Sequence, residues 1–266
     1  MRIKALAFAA SLLLSSSSSV GIPQSASSNA SSSQAATLLG QSAKSLTGAT
    51  AINDVTLTGT VEWIAGSDDE TGTAVYKAVS GAHRMDLSLR NGTRSEIASA
   101  VSGVATGTWV GLDGVSHAVP DHNLMSDAGW FPTFTFGSLI GSSNTVLSYV
   151  GQETRNGSTV IHISSSQVFP GFPGNVATLF QHLTQVDIYL DAATFLPVSY
   201  VYNSHPDNDA LLDIPTEVRY STYQAFGGAQ VPLHIQKYIN NTLVLDLHFQ
   251  NASLNTGMTA IQIVGQ

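Results

Sequence analysis

The side chains in this sequence that could best bind a metal ion or take part in catalysis are histidines and aspartates in two short clusters. Asp121 and His122, with Asp127 nearby, form the first cluster, and the run His-Pro-Asp-Asn-Asp at 205–209 forms the second. Both offer nitrogen or hard oxygen ligands that suit a divalent cation. Neither spacing fits a defined metal-binding loop, and Asp and Asn beside Pro are also typical of turns. We therefore expect no metal ion and no cofactor.

No catalytic motif accompanies these clusters. The sequence has no Gly-x-Ser-x-Gly nucleophile elbow, no His-Glu-x-x-His and no phosphate-binding glycine-rich loop. His162, His234 and His248 fall in separate predicted strands, where a histidine is more often a half-buried or surface residue than a ligand. A hydrolase that uses His122 and the neighbouring aspartates is the weakest function we consider. We predict that the protein is not an enzyme.

Composition excludes several classes of protein. The chain has 266 residues, of which 43% are hydrophobic and 11% are charged, and its formal net charge is −8. The hydrophobic content is sufficient for a packed core, which argues against a disordered chain. The lysines and arginines are scattered, so no basic stripe could neutralise a nucleic-acid backbone. Cysteine is absent, which excludes disulfides, thiolate nucleophiles and cysteine metal ligands.

The N-terminus is typical of a secretory signal peptide. Arg2 and Lys4 precede an apolar run at 5–14, and small residues near 24–26 provide a cleavage site. The apolar run is shorter than the roughly 20 residues that span a membrane, and no cysteine is available for lipidation. We predict a signal peptide at 1–26, a serine-rich tether without packing at 27–33, a single domain at 34–266, and a periplasmic or secreted location.

The pattern of the remaining chain predicts one helix followed by antiparallel strands. Residues 34–46 have the apolar period of a helix, whereas 55–64 alternates between apolar and polar residues. Asn91-Gly92 is the strongest hairpin signal in the chain. Between 186 and 257, short apolar-rich runs are separated by turn signals, which is typical of a meander. No strand of the first half is followed by a helix, which excludes parallel βαβ units.

A concave apolar trough follows from this pattern. An open antiparallel sheet of roughly ten strands curls because its strands twist. The aromatic-rich segment 120–143 is interrupted by Pro132 and has two interpretations, irregular core packing or an apolar flap over the trough. Such a trough would bind acyl chains by burying apolar surface. The residues expected to line or cover it are Trp63, Met85, Leu87, Leu89, Trp130, Phe131, Phe134, Phe136 and Leu139.

The order of these parts resembles the LolA-like family of periplasmic lipoprotein carriers. The motifs are the strand HRMDLSL and, after it, a strand ending in Leu-Asp, the turn Leu-Pro-Val, Gly-Gly-x-x-Val-Pro and the closing LVLDLHF. The resemblance implies a mainly β fold in which a single curved antiparallel sheet forms an incomplete, half-open barrel with a helical lid. Arg84 stands where such a family has a strand arginine, which implies a latch that holds the lid shut. The chain is longer than a minimal carrier, with extra residues at 169–183 and 203–214.

Together, the trough and the resemblance predict a non-catalytic carrier or binder of lipoprotein acyl chains or other lipids. The expected partners are these acyl chains and a protein of the inner or outer membrane, with no nucleic acid, and the chain is expected to be a monomer. The alternative is a periplasmic sensor or interaction module that uses the same fold to bind a segment of a membrane protein. Lipid that co-purifies with the protein would distinguish the carrier from the sensor.

Overall fold

Thirteen antiparallel strands form one sheet that accounts for most of the described chain. The computed structural model of the chain describes residues 24–100, 103–126 and 128–265, with side-chain surroundings from residue 30 onward. The strands are β1 (Asp54–Ala65), β2 (Asp68–Val79), β3 (Ala82–Leu89), β4 (Gly92–Ser99), β5 (Thr106–Val110), β6 (Ser116–Ala118), β7 (Thr145–Arg155), β8 (Ser158–Gln167), β9 (Val186–Asp191), β10 (Pro197–Ser204), β11 (Ile214–Phe226), β12 (Ala229–Ile239) and β13 (Thr242–Leu254). The helices are α1 (Gln24–Thr47), a 3₁₀ helix (Asp121–Leu124), α2 (Pro132–Gly141), α3 (Gly174–Leu183) and α4 (Ala260–Val264).

The sheet is curved but does not close into a barrel. Its strand order is β6-β5-β4-β3-β2-β1-β13-β12-β11-β10-β9-β8-β7, so β6 and β7 are the two edges. The first and last thirds of the chain meet in the middle, where β1 pairs with β13. A bulge between Thr58 and Gly59 lies in this pair and helps the sheet to bend. The predicted fold class, an incomplete antiparallel barrel with a helical lid, is confirmed.

The N-terminal helix begins earlier than the sequence predicted. Helix α1 starts at Gln24 and includes 27–33, for which we predicted a tether without packing. That prediction is wrong for Ser31, whose hydroxyl oxygen accepts the Tyr149 N–H at 3.0 Å. Serine costs little in a helix, and its hydroxyl here binds the backbone of the edge strand β7. The predicted signal peptide lies mostly outside the described residues and stays a prediction.

The concave face of the sheet is filled in one half and open in the other. Ala35, Leu39 and Leu46 of α1 are completely buried in the core formed by the inward side chains of the sheet. Helix α1 contacts β7, β12 and α2, and it therefore fills the side of the trough built by the C-terminal strands. Helix α4 packs on β2, β3 and β4 through the buried Ile263. Among the described helices, none combines the length and the apolar content required to cross a bilayer.

The convex face carries polar side chains that bind one another. Arg155 on β7 and Arg219 on β11 each donate a hydrogen bond of 2.8 Å to Glu217. The guanidinium of Arg155 also lies over the ring of Tyr189, and that of Arg219 lies over Tyr238. Because these strands alternate strictly, their other face is left to apolar residues, which is the alternation that the sequence showed.

Candidate functional site

Two adjoining cavities lie on the open half of the concave face. The first, which we call the lid chamber, has a volume of 490 Å³ and lies between β2–β5 and the segment 119–138. The second, the apolar chamber, has a volume of 410 Å³ and lies against β1, β3, β4, β12 and β13. Both volumes are within the range of small-molecule sites in proteins. Glu96, Trp109 and Lys237 line both chambers and therefore form the boundary between them.

Most of the side chains predicted to line the trough do so. Trp63, Met85, Leu87 and Trp130 line the apolar chamber. Phe131 and Phe134 line the lid chamber, and their ring centroids lie 5.2 Å apart. The strand residues point inward because they occupy alternate positions of β1 and β3, and the register through β2 places these positions on the same face of the sheet.

Three of the predicted lining residues line neither chamber. Leu89, Phe136 and Leu139 belong to the packed core, and Phe136 has only 1% of its surface exposed. Phe136 and Leu139 are buried on α2, and α2 contacts α1. They therefore attach the lid, which we define as residues 129–141, to the core rather than line a chamber. The segment 120–143 therefore combines the two interpretations of its sequence, core packing and a flap over the trough. Its first part covers a cavity and its helix packs into the core.

A cluster of charged side chains occupies the boundary between the chambers. The indole N–H of Trp130 donates a hydrogen bond of 3.1 Å to Oε1 of Glu96, and His83 Nε2 lies 3.6 Å from the same oxygen. The ammonium of Lys237 lies 5.3 Å from the centroid of the Trp130 ring. The guanidinium of Arg94 lies 3.8 Å from the centroid of the Trp63 ring. The charged groups of the cluster therefore contact the rings of Trp63 and Trp130.

The charges in this cluster stabilise one another. Burial alone would raise the pKa of the Glu96 carboxyl, but hydrogen bonding with His83, the positive charge of Lys237 and the Trp130 indole lower it from 4.5 to about 2. Burial alone would lower the pKa of Lys237, but its interactions with Tyr202 and Glu96 raise it. Both groups are therefore charged at neutral pH.

Curvature of the sheet is what brings Glu96 and Lys237 together. Glu96 is on β4 and Lys237 is on β12, and four strands lie between them. In a flat sheet, strands in these positions would be about 24 Å apart. Here both residues contact Trp130, so the two walls of the trough face each other across it.

Sequence reasoning missed the boundary residues, although a signal was present. Lys237 follows Leu233 and Ile235 at alternate positions of β12, and it therefore shares their inward face. Glu96 is opposite Met85 in the register of β3 and β4, so it also points inward. A charged residue in the inward phase of a strand is unusual, and it indicates a lined cavity or a buried ion pair.

Arg84 lies on the face of the sheet opposite the chambers. It alternates with the inward residues Met85 and Leu87 along β3, and its Nε donates a hydrogen bond of 2.7 Å to Asp86. This position does not fit the latch that the resemblance implied, because the lid covers the other face. The lid is joined to the sheet instead by the Trp130–Glu96 hydrogen bond and by one from the Tyr220 hydroxyl to the Gly129 carbonyl.

Gly129 is the point at which the lid approaches the sheet most closely. Its φ is +70°, and a Cβ atom there would lie 2.8 Å from the Tyr200 ring and 2.9 Å from the Tyr220 oxygen. Only glycine fits this approach without displacing a ring. The tyrosine hydroxyl and the glycine therefore act together to hold the start of the lid.

Tyr220→Phe is expected to loosen the lid. The substitution removes one buried hydrogen bond and leaves the Gly129 carbonyl without that donor, which costs about 1 kcal/mol. Amide hydrogen exchange in 129–141 should become faster. Tyr223→Phe is the matched control, since its hydroxyl donates to the Pro197 carbonyl at 2.8 Å and lies away from the lid. Equal exchange in 129–141 for both variants would contradict an anchoring role for Tyr220.

Comparison with known proteins supports the fold and leaves the function open. No protein-family model matches the chain, and no curated protein matches it in sequence. A domain described as an outer membrane lipoprotein-sorting protein from Vibrio parahaemolyticus aligns with a TM-score of 0.58 and 10% identity, over 88% of this chain and 97% of that chain. A DUF1329 family protein from Desulfovibrio piger aligns with a TM-score of 0.56 and 8% identity, over 88% and 97%.

A third solved structure aligns less closely. It is a LolA superfamily protein from Nitrosomonas europaea, with a TM-score of 0.46 and 10% identity over 86% of this chain and 97% of that chain. At such low identity, what the chain shares with the first two proteins is the fold. Together with the open 13-stranded sheet, the first two alignments establish that the fold is LolA-like.

Proposed function

We propose that this LolA-like chain is a non-catalytic carrier that binds the acyl chain of a lipid or lipoprotein in the apolar chamber. The observation that carries the proposal is the lining of that chamber. Its walls are mainly apolar, with Trp63, Met85 and Leu87 on one side and Leu245 and Trp130 on the others. Burial of each methylene group contributes about 0.8 kcal/mol, so about eight of them supply about 6 kcal/mol before the entropic cost of binding.

The boundary cluster suits the anionic end of such a ligand. Arg94 and Lys237 outnumber the single carboxylate of Glu96, so the cluster is locally positive in a chain whose formal net charge is −8. The Nε atom of Arg94 is buried and has no hydrogen-bond partner among the described residues. A carboxylate or phosphate oxygen would satisfy this donor. We infer that the ligand places its acyl chain in the apolar chamber and its anionic group at Arg94.

A hydrogen-bonded row of Ser221, His234 and Asp246 does not change this proposal. His234 presents Nδ1 to the Ser221 hydroxyl at 3.0 Å and Nε2 to Asp246 at 2.7 Å. All three residues lie on the convex face and line neither chamber. In a serine hydrolase the nucleophile faces Nε2 and the carboxylate faces Nδ1, next to an oxyanion site. The row does not have this arrangement, so we propose a binding protein and not an enzyme. We also propose a location in the periplasm or outside the cell, from the signal-peptide pattern of the N-terminus.

Val244→Trp is expected to weaken binding of a fluorescent fatty acid by at least about tenfold. Val244 lines the apolar chamber, and an indole at this position would occupy the volume that the acyl chain needs. The measurement is a titration of a BODIPY-labelled fatty acid into the purified chain. Val150→Trp is the matched control, because that valine is 56% exposed on β7 and lines neither chamber.

Two results would contradict the carrier. One is equal affinity of both tryptophan variants for the fatty acid, which would place the ligand elsewhere. The other is failure of the unaltered chain to bind the fatty acid together with the absence of lipid in native mass spectra of the purified protein.

A further inference from the structure

The two histidine and aspartate clusters that the sequence keeps apart meet in the structure. His122 belongs to the 3₁₀ helix before the lid, and His205 begins the excursion between β10 and β11. Their ring centroids lie 6.0 Å apart, and a third ring, His182 at the end of α3, lies 5.7 Å from His205. Asp213 closes the group. It ends the excursion and accepts contacts from both His182 and His205.

The side chains of His182, His205 and Asp213 bring three potential metal-ligand atoms close together. His182 Nε2 lies 3.0 Å from Oδ1 of Asp213, and His205 Nε2 lies 3.2 Å from the same oxygen. All three atoms lie within 4.8 Å of one another. A zinc ion with bonds of about 2.0–2.2 Å to tetrahedral ligands holds those ligands about 3.3 Å apart. The separations in this group are therefore close to those of a ligand set.

His205 is the buried member of the group. Its side chain is only 1% exposed, and its Nδ1 is buried without a hydrogen-bond partner among the described residues. A metal ion bound at Nε2 would not contact Nδ1, so burial matters here because it fixes the ring with Nε2 directed at Asp213.

A second group on the convex face also consists of two histidines and one aspartate, namely His234, His248 and Asp246. It differs in its hydrogen bonds to neighbouring side chains. Asp246 Oδ2 there accepts a hydrogen bond from Gln236, and His234 Nδ1 is bonded to Ser221. The network is complete without an ion, and 58% of the His248 side chain is exposed. A satisfied surface network is a sufficient explanation of that group. In the group around His205, by contrast, the side chains of His182 and Asp213 make no hydrogen bond to a side chain outside the group among the described residues.

We propose that His182 Nε2, His205 Nε2 and Asp213 Oδ1 bind a divalent transition metal of the Zn²⁺ class, with water in the fourth position. Two imidazoles and one carboxylate are a donor set that zinc accepts. This differs from the expectation that the chain holds no metal. The sequence clusters contributed only His205, because Asp209 is used by its own turn, where it accepts the Leu211 N–H at 3.0 Å. Asp127 lies outside the described residues.

The position of this group links it to the lid chamber. Asn123 donates to the His205 carbonyl at 2.8 Å and accepts the His205 N–H at 2.8 Å, so the excursion is held against the segment that leads into the lid. Asn123 and Asp207 also line the lid chamber. An ion bound by His182, His205 and Asp213 would therefore fasten α3 and the excursion together beside the wall of that chamber.

The test is a titration of the full chain with Zn²⁺ by calorimetry, with Co²⁺ absorption as a second readout of the coordination geometry. We expect saturable binding of Zn²⁺ and a tetrahedral Co²⁺ spectrum. His182→Ala and Asp213→Asn should each lower the Zn²⁺ affinity by at least about tenfold. These two side chains are 34% and 40% exposed, so the substitutions should leave the fold intact, as circular dichroism will verify.

The controls separate this group from the rest of the molecule. His248→Ala removes a member of the convex group, and His117→Ala removes an exposed ring that stacks on Trp109. Both variants should bind Zn²⁺ with the affinity of the unaltered chain. The proposal is overturned if the unaltered chain shows no saturable Zn²⁺ binding, if His182→Ala and Asp213→Asn bind as well as it does, or if His248→Ala is the variant that loses binding.

Discussion

Replacement of Gly59 by alanine is expected to lower the free energy of unfolding by about 3 kcal/mol. Gly59 lies at the bulge where β1 meets β13, in the middle of the sheet. A Cβ atom there would lie 2.1 Å from the His248 carbonyl oxygen and 2.5 Å from the Phe249 Cα. Both neighbours are backbone atoms, so the clash can be relieved only if the two strands separate.

The effect of Gly59→Ala is expected to extend beyond the strain at the bulge itself. The β1–β13 pair joins the N-terminal strands to the C-terminal strands, and strands on both sides of it line the apolar chamber, so a shift there changes the curvature of the whole trough. Gly40→Ala is the control, because a Cβ atom at this exposed position of α1 would have no neighbour within 4 Å. That substitution should stabilise the chain by up to about 1 kcal/mol.

Urea unfolding of the two glycine variants is the measurement. The Gly59→Ala transition should move to lower denaturant and the Gly40→Ala transition to slightly higher denaturant. A Gly59→Ala variant as stable as the unaltered chain would show that the central strands are farther apart than the structure places them.

Glu217→Gln should lower stability by about 3 kcal/mol at pH 7. The Glu217 side chain is 9% exposed and accepts hydrogen bonds from Arg155 and Arg219 at 2.8 Å and from Ser199 at 2.6 Å. Glutamine has nearly the same shape but removes the negative charge, which leaves two guanidinium groups beside a neutral amide. Loss of one partner from a buried charge network is more costly than loss of a surface pair.

The pH dependence of this effect has a definite sign. Burial alone would raise the pKa of Glu217, but the bonds from Arg219, Ser199 and Arg155 lower it from 4.5 to about 2. Between these values the unfolded chain binds a proton that the folded chain does not, so stability falls as the pH falls from about 5 towards 2. Because Glu217→Gln cannot titrate, the difference between it and the unaltered chain should shrink over that interval.

Unfolding in urea at pH 7, 5, 4 and about 3 will test this expectation. Glu153→Gln provides the control, since Glu153 is exposed on β7 and its substitution should change stability by less than about 0.5 kcal/mol at every pH. A stability difference for Glu217→Gln that stays constant as the pH falls would exclude the charge of Glu217 as its cause.

The sequence alone was enough to determine the class of the fold and much of the chamber wall. Trp63, Met85 and Leu87 were predicted to point into a trough because alternation along a strand decides which face each side chain occupies. Turn signals such as Asn91-Gly92 mark where one strand ends and the next begins, and the run of strands without intervening helices in the first half of the chain excludes parallel βαβ units there. These are local properties, so a short window of the sequence is enough to recognise them.

Contacts between distant parts of the chain were decided by the tertiary structure. No local pattern distinguishes Trp130, which lines a chamber, from Phe136, which is buried in the core, because the difference depends on how α2 packs against the rest of the chain. The position of Arg84 is different, because its alternation with Met85 and Leu87 is visible in the sequence and already places it on the face opposite the lid.

The same limit applies to the two groups that carry the proposals. Glu96 and Lys237 meet although four strands separate them in the sheet, and His182 meets His205 and Asp213 although they belong to different elements. Residue spacing determines the face of a strand or helix on which a side chain lies. The degree to which a sheet of 13 strands curls, and therefore which faces oppose each other across the trough, is set by the sum of twist, bulges and packing over the whole chain.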